Sequence, residues 1–191
     1  DFDGIHVRQV IASDDVASAP KGSEDKRRGV AGIFFLYKIA GAAGEAGCSL
    51  DEVTKIANKV NQNVRTMGVA LSPCTIPEVG KPTFSIEDEH MEIGMGIHGE
   101  PGIERGKLKT ADEIVDTMLN QIIVDLPFTS GHEVAVLING LGATPQEELF
   151  VMFRRVDQVL RTQGISVYRA YIGEFATSME MAGASISLLK L

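Results

Sequence analysis

The sequence predicts an α/β fold with a mostly parallel or mixed sheet flanked by helices. Three observations predict it. Apolar, strand-like runs alternate with helical periodicity along the chain. Three capping-box patterns open helices: Ser49-Leu50-Asp51-Glu52, Thr110-Ala111-Asp112-Glu113 and Thr144-Pro145-Gln146-Glu147. Hydrophobic residues make up 44% of the 191 positions, and a chain of that size buries about 70% of its unfolded surface without staples.

Residues 5–12 read as a short apolar strand, and 20–28 as a polar loop. Residues 29–46 read as a helix buried on most sides, because Gly32, Gly41, Ala42 and Ala43 leave it little polar face. Gly47 stops it. The helix behind Ser49 places Val53, Ile56, Ala57, Val60, Val64 and Met67 on one face and folds back as a hairpin. Residues 69–71, begun by Gly68, read as a strand, 83–86 as a possible short strand, and 91–97 as a strand that delivers His98. The helix after Thr110 turns Ile114, Val115, Met118, Leu119 and Ile122 inward. Residues 133–138 have the unbroken apolar character of a parallel strand. Residues 139–142 read as a tight turn. Pro145 is set at the first helical position, and Leu149, Phe153, Val156 and Leu160 face the core. Residues 165–172 and 185–189 complete the strands.

Charge excludes some partners. Eighteen basic residues against 26 acidic give a net charge of −8, which argues against nucleic acid or an anionic membrane. Cys48 and Cys74 form no CxxC pattern, so a reduced, cytoplasmic protein fits best. The apolar stretch 29–44 carries Lys38 at its middle and is too short to span a bilayer. The chain starts at Asp1 without an initiator methionine and stops at Leu191, which reads as still inside a strand. That reads as part of a longer polypeptide.

Candidate chemistry centres on Gly94-Met95-Gly96-Ile97-His98-Gly99-Glu100-Pro101-Gly102. An imidazole at a strand end, on a glycine-lined turn, admits close approach by a small molecule. Pattern alone also allows an exposed turn histidine. Asn139-Gly140-Leu141-Gly142 lies where a phosphate sits in some α/β proteins, but it lacks the third glycine of GxGxxG and the lysine of GxxxxGK(S/T), and no nucleotide site is assigned. Asp14 and Asp15 follow the first strand; they read as metal ligands, as a solvated loop, or as partners of Lys26, Arg27 and Arg28. That basic run stands before a helix start, where positive charge is unfavourable, and implies a specific acidic partner. Cys74 reads as a buried small hydrophobe. His90 sits in an acidic turn, and His6 and His132 lack zinc-ligand spacing; no metal site is assigned.

Six segments, in order, resemble the substrate-binding K subunit or domain of dihydroxyacetone kinases. They are Arg27-Arg28-Gly29-Val30-Ala31-Gly32, Lys38-Ile39-Ala40-Gly41-Ala42-Ala43, Met67-Gly68-Val69-Ala70-Leu71, Cys74-Thr75-Ile76-Pro77, the run from Met91 through Gly102, and Asn139-Gly140-Leu141-Gly142-Ala143-Thr144-Pro145. The Gly-Ile-His-Gly-Glu-Pro-Gly run is the most specific of them.

The resemblance implies that His98 is the catalytic and substrate-binding residue, joined to a ketone carbonyl as a hemiaminal. It implies that Glu100 is a candidate acceptor for the second ring nitrogen. It implies a homodimer of subunits with two α/β domains: residues 1–65 would end the first, partly present domain and 66–191 would form the second, with the last strand able to return to the first. The ligand would be dihydroxyacetone or a similar short ketose such as erythrulose. ATP or ADP with Mg would be held by a separate nucleotide-binding L subunit or domain, and no cofactor by this chain. The donor would be ATP or a phosphotransferase relay through bound ADP. A further substrate loop and an acidic, hydroxyl-activating residue would precede Asp1. Related proteins that keep the histidine act instead as ligand-sensing coactivators of a transcription regulator.

Overall fold

A computed structural model describes residues 4–97 and 99–191. Its main sheet has six strands in the order β5-β4-β1-β8-β6-β7. In chain order these are β1 (Val64–Ala70), β4 (His90–Ile93), β5 (Glu104–Lys107), β6 (Glu133–Gly140), β7 (Ser166–Gly173) and β8 (Gly183–Lys190). A two-stranded ribbon, β2 (Thr75–Ile76) with β3 (Lys81–Pro82), stands apart. The helices are α1 (Ile33–Glu45), α2 (Leu50–Asn63), α3 (Ala111–Asp125) and α4 (Gln146–Thr162).

The class is α/β and the sheet is mixed. Within it, β6 and β7 are parallel, and the other neighbouring pairs are antiparallel. The apolar run of β6 reflects burial on both faces, not a purely parallel setting: it lies between β8 and β7, and every residue from Val134 to Gly140 is buried.

α3 and α4 cover one face of the sheet. Ile114, Val115, Met118, Leu119 and Ile122 of α3, with Leu149, Met152, Val156 and Leu160 of α4, pack on Met67, Val69, Val136, Ile138, Ile186 and Leu188. Met152 is fully part of this core, whereas Phe153 is half-buried at its margin. On the other face, Phe35 and Leu36 of α1 and Val60 of α2 meet Val64, Leu137 and Leu189. Phe34, Tyr171 and Phe175 add edge-on aromatic contacts at the β7 side, with Phe34 and Tyr171 centroids 4.9 Å apart.

The boxes at Ser49 and Thr110 form as expected: each hydroxyl accepts from the backbone N–H three residues on, and Glu52 and Glu113 bond back. The box at Thr144 does not form. The Thr144 hydroxyl donates to Gly183 O at 2.7 Å and accepts from Gly183 N at 2.8 Å, so Pro145 becomes an uncapped N-cap. A tertiary partner on β8 outcompetes the local one.

Other expectations shift. Residues 5–12 form no strand; Ile5, Val7 and Ile11 are exposed, and Asn61 of α2 holds Ile11 O at 2.9 Å. α1 is shorter and far less buried than its composition suggests: Tyr37 is 71% exposed, and Gly41 and Ala42 are also exposed, because the sheet and α2 cover only one side. α2 stops at Asn63, so Val64 and Met67 belong to β1, where residues 65 and 66 pair with Leu188 and Ser187. Residues 83–86 form no strand, and β4 ends at Ile93, where Gly94 takes a left-handed φ of 81°. The turn after β6 starts at Leu141, since Asn139 and Gly140 lie within the strand. β8 is central, between β1 and β6.

Candidate functional site

The outer edge of β1 is shared between two partners. Near its end, Val69 and Ala70 pair with β4. Lower down, Thr66 N donates to Asp14 O at 2.8 Å and Val16 N donates to Thr66 O at 3.1 Å. The loop of residues 94–102 leaves β4 at the junction of these partners.

The loop is closed at its base. Gly94 N donates to Gly68 O at 2.7 Å, and Ile103 N donates to Ile93 O at 2.8 Å. A side chain at Gly94 would be strained by its φ and would also meet Ala17 Cβ at 2.8 Å. Glu92, 5% exposed on β4, accepts from Gly102 N at 2.6 Å and from Arg105 Nε on β5 at 2.8 Å. Within the loop, Gly99 N donates to Gly96 O and Gly96 N to Glu100 O, both at 3.1 Å. Thr83 and Phe84, after the ribbon, press on Gly99.

Beneath it lies a small apolar cluster of Ala70, Cys74, Met95, Leu141 and Met181, joined by Phe84, Ile86 and Ile97. Cys74 is 3% exposed, as expected of a small hydrophobe, and its sulfur neighbours the hydroxyls of Thr83 and Ser178. His98 itself lies outside the described residues.

Arg28 reaches the loop from the opposite side. Its Nε and Nη2 stand 2.9 and 2.8 Å from Asp15 Oδ2, and Nη2 lies 3.4 Å from Gly94 O. Burial pushes the Asp15 carboxyl above its ordinary range, while the Arg28 charge pulls it back toward ionisation. Asp14 is fully buried and accepts from Val30 N at 3.0 Å and Gly32 N at 2.8 Å, fixing the approach to α1. Its carboxyl is raised by burial, with these bonds opposing the rise. The two aspartates thus serve the backbone and Arg28. Among the described residues, no group of three or more His, Cys, Asp or Glu is placed to hold a metal.

The acidic partners expected for the basic run are within the chain: Asp15 for Arg28 and Asp125 for Arg27. His90 Nδ1 lies 2.9 Å from Asp88 O, and His132 Nδ1 accepts from Thr129 N at 2.9 Å, both local turn contacts. Asn139, fully buried, holds Phe175 N, Ala176 N and Ala176 O and so shapes the segment after β7. The roles of Glu92, Arg28 and Asn139 went unread in the sequence. Each depends on partners 10 to 66 residues away, and only the basic run gave a hint.

The geometry is a glycine-rich loop braced on an α/β sheet, and the whole chain has clear relatives. The Dak1 domain matches residues 1–191, and the chain belongs to that family. It is 46% identical over 189 residues to the dihydroxyacetone-binding subunit DhaK of a PTS-dependent dihydroxyacetone kinase from Listeria innocua, covering 99% of this chain and 56% of that protein. It is 41% identical over 189 residues to a D-erythrulose kinase from Mycolicibacterium smegmatis, covering 99% of this chain and 33% of that one. Among solved structures, a dihydroxyacetone kinase operon co-activator superposes with a TM-score of 0.89 at 31% identity, covering 98% of this chain and 58% of the other. The chain spans little more than half the length of the DhaK subunits it matches.

Proposed function

We propose that this chain is part of a dihydroxyacetone kinase K-type subunit that binds a short ketose covalently through His98. The supporting observation is the 46% identity to a dihydroxyacetone-binding subunit over nearly the whole chain. The loop around position 98 fits the role: Gly68, Glu92 and Arg28 brace its backbone.

In the proposed step, a neutral ring nitrogen attacks the ketone carbon. The C=O π pair moves to oxygen, which gains a proton, and the second ring nitrogen gives one up. Nothing leaves, so the product is a hemiaminal. Glu100 is the proposed acceptor facing that second nitrogen. The chemistry selects ketones: glycerol matches dihydroxyacetone in size and hydroxyls but has no carbonyl. Attachment also fixes the terminal hydroxyl for in-line attack on a phosphorus. The nucleotide and Mg are assigned to an L partner by resemblance alone. The same resemblance supports the homodimer and the two-domain organisation divided near residues 65 and 66, while the cytoplasmic setting rests on the two cysteines and their lack of a CxxC pattern.

Two other readings have support. The erythrulose kinase match favours a four-carbon ketose, and the co-activator superposition favours a sensing role. A kinase assay of the full-length protein with its L partner and ATP, comparing dihydroxyacetone, erythrulose and glycerol, tests them. Phosphorylation of a ketone but not of glycerol is expected. Equal activity on glycerol would sink the carbonyl trap. Ketone binding without phosphorylation, with ATP and phosphotransferase donors alike, would favour the sensor. His98→Ala should abolish the adduct.

A further inference from the structure

We propose that Arg28 is a positioning residue for ketone capture: anchored on Asp15, its guanidinium holds the backbone of residues 94–96 on the approach to His98. The inference rests on the proposed role of His98.

The anchor is rigid. The Asp15 side chain is 3% exposed, and its backbone neighbours pair with Thr66 of β1 on both sides. Two nitrogens of the Arg28 fork address one Asp15 oxygen, and one of them also faces Gly94 O. The remaining nitrogen, Nη1, stands where a side chain at position 96 would begin, 2.9 Å from an ideal Cβ there. The Glu100 carboxylate presses on the same point. A side chain at position 96 would have to displace the ends of Arg28 and Glu100. The guanidinium and the carboxylate flanking His98 by two positions occupy the space that any other residue would claim.

The other braces act at the ends of the loop, at Gly94, Gly102 and Ile103. Arg28 acts from the first turn of the loop, at Gly94 O and beside Gly96, through a planar fork that a lysine cannot reproduce. The Arg28 side chain is 24% exposed but its Asp15 partner only 3%, so a variant that removes the cation orphans a buried carboxylate and lowers global stability, whereas Arg28→Lys keeps a cation beside it. Its geometric effect is a separate matter, since a misplacement of about 1 Å in a reacting group costs about a hundredfold.

The test uses full-length protein and dihydroxyacetone labelled with 13C at the carbonyl, with NMR following conversion of the trigonal carbon to a tetrahedral one. Arg28→Lys keeps a cation beside Asp15 but loses the arms toward Gly94 and Gly96. It is expected to keep its unfolding midpoint and weaken adduct formation about tenfold, and Arg28→Gln about a hundredfold. Gly96→Ala should reproduce the loss from the loop side. In turnover assays the defect should appear in KM more than in kcat. Adduct affinity within about twofold of the parent in all three variants would overturn the proposal. So would a loss in Arg28→Lys that merely tracks a falling unfolding midpoint. Absence of an adduct in the parent protein would instead overturn the role of His98, and this inference with it.

Discussion

Arg27 and Asp125 meet in an ion pair withdrawn from solvent, 98 residues apart in the chain, with Nη1 donating to Oδ1 at 2.8 Å. Arg65, at the start of β1, donates to the same carboxylate. One residue thereby ties the loop before α1 and the foot of β1 to the last turn of α3. Replacing it leaves two guanidinium groups facing each other. Asp125→Asn should cost about 3 kcal/mol in urea unfolding, the usual penalty for orphaning a buried charge. A loss below about 1 kcal/mol would show that water reaches the cluster.

The same carboxylate sets an acid limb. Burial raises the Asp125 pKa, but the hydrogen bonds from Arg27 and Arg65 outweigh it and leave it below the ordinary carboxylate range. With the folded pKa below the unfolded one, its stabilisation is complete above that range and is lost as pH falls through the lowered value. Asp14 and Asp15 have the opposite sign. Their raised folded values give a contribution that is full below the ordinary range and is lost as pH rises through the raised values. Urea midpoints across about pH 3 to pH 7 check this. Asp125→Asn should flatten the acid limb, and Asp14→Asn the decline at higher pH.

Thr144 satisfies both the N–H and the C=O of Gly183 with one hydroxyl. Thr144→Val keeps the shape but takes the acceptor from the Gly183 N–H and one of two donors from Gly183 O, which still accepts from Leu141 N at 3.1 Å. It should destabilise by about 2 kcal/mol, while Thr144→Ser should cost less than about 1 kcal/mol. Equal losses in the two variants would assign the effect to the methyl group.

Glu92 offers one oxygen to Gly102 and the other to Arg105. Glu92→Ala removes both bonds at the base of the loop. Exchange of the Gly102 amide should quicken about tenfold or more, with smaller changes in α3 and α4. Glu92→Gln, which keeps an acceptor for Gly102, should fall between. Uniform acceleration across the chain would mean global destabilisation instead.

Much of the helical layer was legible because its signals are local. Ser49 and Thr110 reach partners three residues away, and the apolar spacing from Ile114 to Ile122 repeats on one face. Errors gathered where distant partners decide. Thr144 abandons its local role for Gly183, and Val64 continues a helical periodicity into a strand because Leu189 waits beside it. Tyr37 and its small neighbours looked like core because composition does not reveal which face finds a neighbour. The candidate loop was legible as a motif. Its bracing was not, since Arg28 and Gly94 are 66 residues apart and meet through the fold.

The central place of β8 sets a limit on assembly. Strands β5, β4 and β1 lie on one side of it, and β6 and β7 on the other. While this chain is being synthesised, its two halves can each collapse, but no hydrogen-bonded sheet joins them until Gly183–Lys190 has emerged. The strand that follows all the others in sequence is the keystone. A ribosome paused shortly before residue 183 would hold two open strand edges, those of β1 and β6, available for wrong pairing.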